Sequence, residues 1–163
     1  MNFRPTVTMQ WGFLFLFLHY MNHTPEKNIQ TIRDILEDEI RGDVAAALEK
    51  MTDDYSMTWV YKRRDNVLFP AVAAENIRAA MKDVYVVKGR RYDIRHIIAE
   101  GDVVMAELVE SYPDEEKPGV FYRTPMVIVW EFSDGKIRAG RHYCDPQLSY
   151  LNLSEEEVKN IYK

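Results

Sequence analysis

The stretch that decides the fold is DGKIRAGRHYCDP, residues 134–146. It opens with Asp-Gly, a strong signal for a tight hairpin turn, and it ends at Asp-Pro, where a central strand cannot continue. Successive side chains of a strand point to opposite faces, so His142 and Cys144 share one face and Arg141 lies on the other. The stretch therefore predicts a final β-strand that carries an imidazole and a thiol on one side.

Strand patterns also precede this hairpin. Residues 54–62, 92–101, 102–112 and 119–133 are rich in β-branched and aromatic side chains. Gly101-Asp102 predicts a tight turn, and residues 113–119 predict an exposed hairpin tip. The last four strands follow each other closely, which indicates an antiparallel meander.

Helical patterns stand mainly at the start of the chain. Residues 24–43 combine a Thr24 cap, apolar residues at helical spacing and residues 37–39, which we place on the polar side. Shorter patterns predict a second helix over 44–51 and a third over 74–85. Ser154 and Glu157 form a capping box for a C-terminal helix. Helices followed by a meander predict an α+β domain with the helices on one face of a curved sheet.

Composition excludes several classes of protein. A length of 163 residues suits one domain, and a net charge of -5 argues against a nucleic-acid partner. Cys144 is the single cysteine, so no intrachain disulfide can form, which fits a reducing cytoplasm. We therefore expect a cytoplasmic protein.

The first twenty residues differ from the rest. Residues 11–18, WGFLFLFL, are far shorter than the roughly 20 apolar residues that span a bilayer. Their length suits a signal-peptide core, but no small-residue cleavage pattern follows. We interpret residues 1–20 as an extension or misassigned start; a weak signal or anchor and a structural role are the alternatives. The single domain is expected over 21–163, without membrane attachment.

The order of elements and the ending DGKIRAGRHYCDP resemble the nuclear transport factor 2-like superfamily over residues 26–153. This superfamily includes SnoaL-like polyketide cyclases, ketosteroid isomerases, limonene epoxide hydrolases and phenazine-biosynthesis A/B proteins. The resemblance implies a cone-shaped barrel, in which a strongly curved mixed or antiparallel sheet wraps around N-terminal helices. It further implies a mostly apolar pocket at the open end and a homodimer through the convex face of the sheet.

The active-site patterns of these relatives point to one position. The base of ketosteroid isomerases matches Trp59, which carries no carboxylate. In the Asp-Arg-Asp set of the epoxide hydrolases, the arginine matches Leu108, and the two aspartates match Glu110 and His142. The arginine of that set is therefore missing here. The acid–base Glu of the phenazine proteins also matches His142. The resemblance therefore implies that His142 transfers protons, with Glu110 as a partner that raises its pKa.

Structural roles are alternatives to these catalytic and ligand-binding roles. His142 has three interpretations: a catalyst, a hydrogen-bonding group for a ligand, or a structural residue. Cys144 is expected to pack as a small hydrophobe; a thiolate nucleophile or a zinc site is disfavoured, because Asp145 points to the other face. The expected pocket walls or floor, core packing being their default role, are Trp59, Tyr61, Leu108, Tyr112, Met126, Ile128, Trp130 and Cys144.

Two functions remain open at this point. The first is a cofactor-free isomerase, cyclase or dehydratase for an apolar ring or carbonyl compound, with His142 and Glu110 as its catalytic pair. The second is a non-catalytic ligand-binding or dimeric interaction module on the same fold, since a fold alone does not fix a function. Neither interpretation includes a metal or a cofactor.

Overall fold

The computed structural model describes residues 24–60, 87–145 and 153–163 of the chain. In this part of the chain, five strands form one sheet in the order β1-β5-β4-β3-β2. β1 is parallel to β5 and every other neighbouring pair is antiparallel. The strands are β1 (Met51–Trp59), β2 (Arg91–Glu100), β3 (Val103–Pro113), β4 (Phe121–Ser133) and β5 (Lys136–Tyr143).

The predicted α+β class is confirmed, and the sheet is curved. It does not close into a barrel in the described residues, because β1 and β2 remain its two edges. Three predictions fall outside the described residues: the extension 1–20, the third helix over 74–85 and the pocket role of Tyr61.

Helix α1 (Pro25–Arg41) begins and ends as its sequence predicts. The Thr24 side chain accepts a hydrogen bond from the Lys27 amide, and Gly42 ends the helix with a φ of 75°. A short helix, α2 (Val44–Glu49), follows with Asp43 as its cap. Both helices are therefore set by local sequence.

Helix α1 lies antiparallel to β2 across the concave face of the sheet. Near its start, Asn28 Nδ2 donates to the Gly101 carbonyl at 3.4 Å. Near its end, the Tyr92 hydroxyl donates to Glu39. Apolar side chains of the helix and the concave face form the core, which includes Ile32, Ile35, Leu36, Val104, Ala106, Leu108, Ile128, Trp130, Phe132 and Ile137.

The prediction that residues 37–39 lie on the polar side of α1 is wrong for two of the three. Glu37 is exposed, but Asp38 is 1% exposed and the Glu39 side chain 17%. Three consecutive helical residues span about 200° of the helix, so they cannot share one face. Lys50 neutralises Asp38 through an Nζ–Oδ2 contact of 2.7 Å, which makes its burial tolerable.

A bulge in β5 sets which side chains reach the concave face. Ile137 pairs with Phe132 and Ala139 pairs with Glu131, so Arg138 is the extra residue. Before the bulge the odd-numbered Ile137 is fully buried, whereas after it the even-numbered Gly140 is buried. The same alternation directs His142 to the concave side.

Helix α3 (Glu155–Ile161) packs on the convex face of the sheet. Its predicted capping box between Ser154 and Glu157 is present. Val158 is 3% exposed, and Arg123 donates to the Leu153 carbonyl at 2.9 Å. Among the described helices, none combines the length and the apolar character needed to cross a membrane.

Candidate functional site

Exposure increases along the concave face toward one end of the sheet. On β3, Val104, Ala106 and Leu108 are fully buried, whereas Glu110 and Tyr112 are partly exposed. On β5, His142 lies level with the buried Ala106 but beside the edge strand β1, and it is partly exposed as well. This end of the sheet is therefore where a ligand can reach the concave side.

A charged cluster lies at this end, where α1, β2 and β3 meet. Tyr92 on β2 pairs across the strands with Glu110 on β3, and the Tyr92 hydroxyl donates a hydrogen bond to Glu39 on α1. Arg90 Nε lies 3.0 Å from Glu110 Oε1, and Arg90 Nη1 lies 3.9 Å from Glu39 Oε2. One guanidinium thus stands between two carboxylates.

Burial raises the pKa of Glu39 to about 7. The Tyr92 hydrogen bond and the Arg90 charge oppose this rise, whereas the negative charges of Glu110 and Asp38 add to it. Since 17% of the Glu39 side chain remains exposed, water still reaches the carboxyl group. Glu39 is therefore close to half protonated at neutral pH, which is the state that suits an acid–base group.

Glu110 lies in a similar environment. Burial raises the pKa of its carboxyl group, while Arg90 and the hydrogen bond with Tyr92 pull the pKa down. Its side chain is 19% exposed. The cluster as a whole holds two carboxylates against one positive charge, so protonating one of the two removes its excess negative charge.

Arg90 is the most buried member of the cluster, with 8% of its side chain exposed. Burial opposes its charge, but the nearby Tyr92, Glu110 and Glu39 outweigh this and raise the pKa of Arg90. Its Nε and Nη1 atoms make no hydrogen bond within the part of the chain that the structure describes. The contact with Glu110 is thus an ion pair whose N–H is poorly aligned on the carboxylate oxygen.

Tyr55 on β1 brings a second phenol close to this cluster. It is 6% exposed, and burial together with the charge of Glu39 raises the pKa of its hydroxyl. Its approach depends on Gly140, because a Cβ atom at that position would lie 2.8 Å from the Tyr55 hydroxyl oxygen. The Tyr55 phenol therefore remains a hydrogen-bond donor at physiological pH.

His142 lies on the β1 side of the same face. Its ring centroid is 5.9 Å from that of Trp59, and burial lowers the pKa of His142 to about 4. The residue is still partly exposed, so the ring is crowded by protein atoms without being sealed from water. His142 is consequently a neutral imidazole at physiological pH.

The structure does not bring His142 and Glu110 together. His142 lies opposite Ile128, which in turn lies opposite Ala106, four residues before Glu110 on β3. The ion-pair partner of Glu110 is Arg90 instead. The expectation that Glu110 raises the pKa of His142 is therefore wrong, because burial without a carboxylate partner moves that pKa downward.

The other predicted wall residues divide into two groups. Leu108, Met126, Ile128 and Trp130 are buried and form the floor of the concave face. Trp59, Tyr112 and Cys144 are partly exposed. Burial raises the pKa of the Cys144 thiol, and Glu110 and Asp145 add to this, which argues against a thiolate nucleophile.

Four residues of this face are not predicted as site residues from the sequence: Glu39, Arg90, Tyr92 and Tyr55. A signal for Glu39 existed, because it follows Ile32 and Ile35 at helical spacing and so continues the buried stripe of α1. Arg90 carried no such signal, since it stands in the turn before β2. Its contact with Glu110 forms only when β2 pairs with β3.

A second concavity lies on the opposite face of the sheet. This groove of about 530 Å³ runs between α3 and the convex side of β2, β3 and β4. Its lining includes Phe121 and Arg123, and the Arg123 guanidinium lies 5.5 Å from the Phe121 ring centroid. The described residues contain no group of three His, Cys, Asp or Glu side chains that could hold a metal ion.

Known proteins share the fold of this chain. The SnoaL-like domain model matches residues 32–140, and no curated protein matches the chain. An LEH-like epoxide hydrolase from M. tuberculosis is 17% identical with a TM-score of 0.61, and the alignment covers 85% of this chain and 97% of that one.

Two further solved structures are similar. A Bacillus subtilis protein proposed to be an isomerase is 19% identical with a TM-score of 0.64, covering 78% of this chain and 95% of that one. IdmH from Streptomyces antibioticus, proposed to be a polyketide cyclase, is 15% identical with a TM-score of 0.62, covering 77% and 96%. At these identities the likeness shows the fold alone.

Proposed function

Because the chain belongs to the SnoaL-like domain family, we propose that it binds a small apolar ring or carbonyl compound at the exposed end of the concave face. On this compound it would catalyse a cofactor-independent acid–base reaction. The reaction class is an isomerisation, a cyclisation or a dehydration, each of which moves a proton between a substrate atom and a protein side chain.

One observation carries this proposal: Glu39 is a buried carboxyl group with a pKa of about 7 that accepts a hydrogen bond from Tyr92. Proton transfer is most effective when the pKa of the catalytic group lies near the working pH. Carboxyl groups with such raised pKa values concentrate at functional sites. Glu39 is therefore the group best suited to exchange a proton with a bound substrate.

The remaining residues have distinct proposed roles. The carboxylate form of Glu39 would take a proton from a carbon beside a carbonyl group, and the resulting acid would return it to a second carbon. Tyr92 orients the Glu39 carboxyl group, and Glu110 balances the charge of Arg90. His142 keeps a catalytic role as a neutral imidazole that hydrogen-bonds the substrate, because its pKa of about 4 prevents it from acting as the acid at pH 7.

The solved structures of similar fold support the choice of reaction class. They include proteins described as an epoxide hydrolase and as a proposed isomerase and polyketide cyclase. These descriptions belong to those proteins, which share only the fold with this chain. We propose that the same fold holds a small organic molecule in this chain.

A second candidate function is a non-catalytic, dimeric ligand-binding module. Its supporting observation is the convex face, which exposes Ile98, Met105 and Tyr143 at 64%, 41% and 41%. Ile98 and Met105 lie directly opposite each other on β2 and β3, and neighbouring exposed apolar side chains of this kind mark interaction surfaces. We propose that a second copy of the chain covers them, whether or not the concave site is catalytic.

Exchange of substrate hydrogen for deuterium tests the acid–base proposal without knowledge of the natural substrate. A panel of cyclic ketones and enones is incubated in D₂O with the wild type, Glu39→Gln and His142→Ala, and exchange beside the carbonyl group is followed by NMR. We expect wild-type catalysis of at least one compound and a loss of at least a hundredfold in Glu39→Gln. Exchange that is equal in wild type and Glu39→Gln would remove Glu39 from the mechanism and favour the binding module.

A further inference from the structure

We infer that Arg90 binds an uncharged carbonyl oxygen of the ligand and that the site rejects ligands that carry a carboxylate in the same place. This inference rests on the proposed function, since it describes the polar end of the ligand bound at the same site.

The hydrogen bonds that Arg90 lacks are the first argument. Its Nε and Nη1 atoms are buried and have no hydrogen-bond partner in the described ranges. Buried donors in native proteins are almost always paired with an acceptor. Glu110 Oε1 is 3.0 Å away but poorly aligned, and Glu39 Oε2 at 3.9 Å is beyond hydrogen-bond range. An acceptor oxygen of a ligand would complete this arrangement.

The charges of the cluster decide what kind of oxygen fits. Glu39 and Glu110 already share the single positive charge of Arg90. A ligand carboxylate would be a third negative charge on this guanidinium, in an environment where burial weakens the screening by water. A ketone, ester or amide oxygen accepts the same N–H groups and adds no net charge. The donors themselves exclude an ammonium group, which cannot accept a hydrogen bond.

The surroundings indicate an apolar or aromatic body for the ligand. Tyr112 is partly exposed on the same strand and face as Glu110, and Trp59 is partly exposed across the sheet. Aromatic side chains of this kind contribute most of the contact area in small-molecule sites. The expected ligand is thus a neutral carbonyl compound with a ring or chain of carbon atoms.

Matched pairs of an amide and its carboxylic acid test the inference. Benzamide and benzoate, cyclohexanecarboxamide and cyclohexanecarboxylate, and 2-naphthamide and 2-naphthoate have nearly equal shapes and differ in charge at pH 8. Binding to the full chain is measured by ligand-observed NMR and by calorimetry. We expect at least one amide to bind ten times more tightly than its acid.

Variants separate the contribution of charge from that of shape. Glu39→Gln keeps the size of the side chain and removes one negative charge, so the preference for the amide should shrink at least threefold. Arg90→Lys should weaken amide binding about tenfold, because lysine lacks the Nε and Nη1 donors of arginine. Glu107→Gln is the matched control, since Glu107 is a partly exposed carboxylate paired with His96 on the convex face. It should leave the preference unchanged.

Several outcomes would overturn the inference. The first is that the acids bind as tightly as their amides, and the second is that Glu39→Gln leaves the preference for amides intact. The third is that none of the three pairs binds, which would mean that water completes the Arg90 hydrogen bonds. If Arg90→Lys does not fold, the ratio of amide affinity to acid affinity measured in Glu39→Gln decides whether the inference holds. A preference for amides without deuterium exchange would refute the proposed catalysis alone, and exchange with a preference for acids would refute this inference alone.

Discussion

The hydroxyl group of Tyr92 donates a hydrogen bond to Glu39 and so joins the second residue of β2 to the last turn of α1. Neither side chain could be buried well without the other, because a buried phenol and a buried carboxyl group both need a partner. The pair also determines how readily Glu39 releases its proton.

Tyr92→Phe should raise the pKa of Glu39 further, since the Tyr92 hydrogen bond holds that pKa down. Glu39 would then be mostly protonated at pH 7, so a smaller fraction of the protein would carry the carboxylate that acts as the base. The acidic limb of a pH–rate profile for deuterium exchange should move to higher pH, and a ¹³C NMR titration of the Glu39 carboxyl group should show the same shift. A profile that stays in place would mean that Tyr92 does not influence the proton on Glu39.

The pH dependence of stability should contain two opposing contributions. Glu39 has a folded pKa of about 7, above the ordinary glutamate value of 4.5, so its contribution to stability is full below pH 4.5 and is lost as the pH rises through 7. His142 has a folded pKa of about 4, below 6.5, so its contribution is full above pH 6.5 and is lost as the pH falls through 4. Each slope approaches about 1.4 kcal/mol per pH unit, and between pH 4.5 and 6.5 they largely cancel.

Single variants should reveal these slopes. In Glu39→Gln the free energy of unfolding should rise with pH between 4.5 and 6.5, because Glu39 no longer offsets the His142 contribution. In His142→Gln it should fall over the same window, with Glu110 adding to the fall because its pKa is also raised. Urea unfolding at half-unit pH intervals measures both slopes. Identical pH dependence in all three proteins would show that neither pKa is shifted.

Gly140→Ala should destabilise the fold. The new methyl group would lie 2.8 Å from the Tyr55 hydroxyl oxygen, and overpacking of this kind costs about 1–3 kcal/mol. Tyr55→Phe removes that oxygen, so the double variant should recover part of the loss relative to Gly140→Ala. Thermal unfolding of the four proteins forms a double-mutant cycle, and strict additivity would mean that the two positions do not clash.

Met105→Glu should convert the proposed dimer into a monomer. Met105 is 41% exposed on the convex face, where a partner subunit would desolvate the new charge. Ile40→Glu is a suitable control, because Ile40 is similarly exposed at 44% but lies on α1. Light scattering coupled to gel filtration gives the molar mass of each. A wild-type monomer at micromolar concentration would reject the dimer.

The sequence predicts what depends on local patterns. Capping residues place α1 and α3, Asp134-Gly135 places the last hairpin, and alternation places Arg141 and His142 on opposite faces. It does not predict the partners of side chains that meet across elements. Glu110 is brought to Arg90 by the turn before β2, and no spacing in the chain encodes that contact. Glu39 is not predicted as a buried residue, because its acidic neighbours suggest a solvated helix face.

The resemblance to relatives carries a related lesson. It identifies position 142 as a place for proton transfer, yet the structure gives that position a neutral imidazole and gives a carboxyl group with a pKa of about 7 to α1. A shared fold preserves the cavity more strictly than the side chain that performs the chemistry. Carrying a role from one member to another therefore requires the local electrostatics as well as the alignment.

The bulge at Arg138 makes the direction of the β5 side chains depend on one surplus residue. Deleting Arg138 would leave a regular ladder in which Ala139 follows Ile137, so Gly140 and His142 would keep their present face. Pairing the strand at its present length without a bulge would instead turn Gly140 and His142 outward and bring Arg141 and Tyr143 inward. Descendants of this gene can thus be expected to vary freely at the exposed Arg138 side chain and to tolerate the loss of its codon.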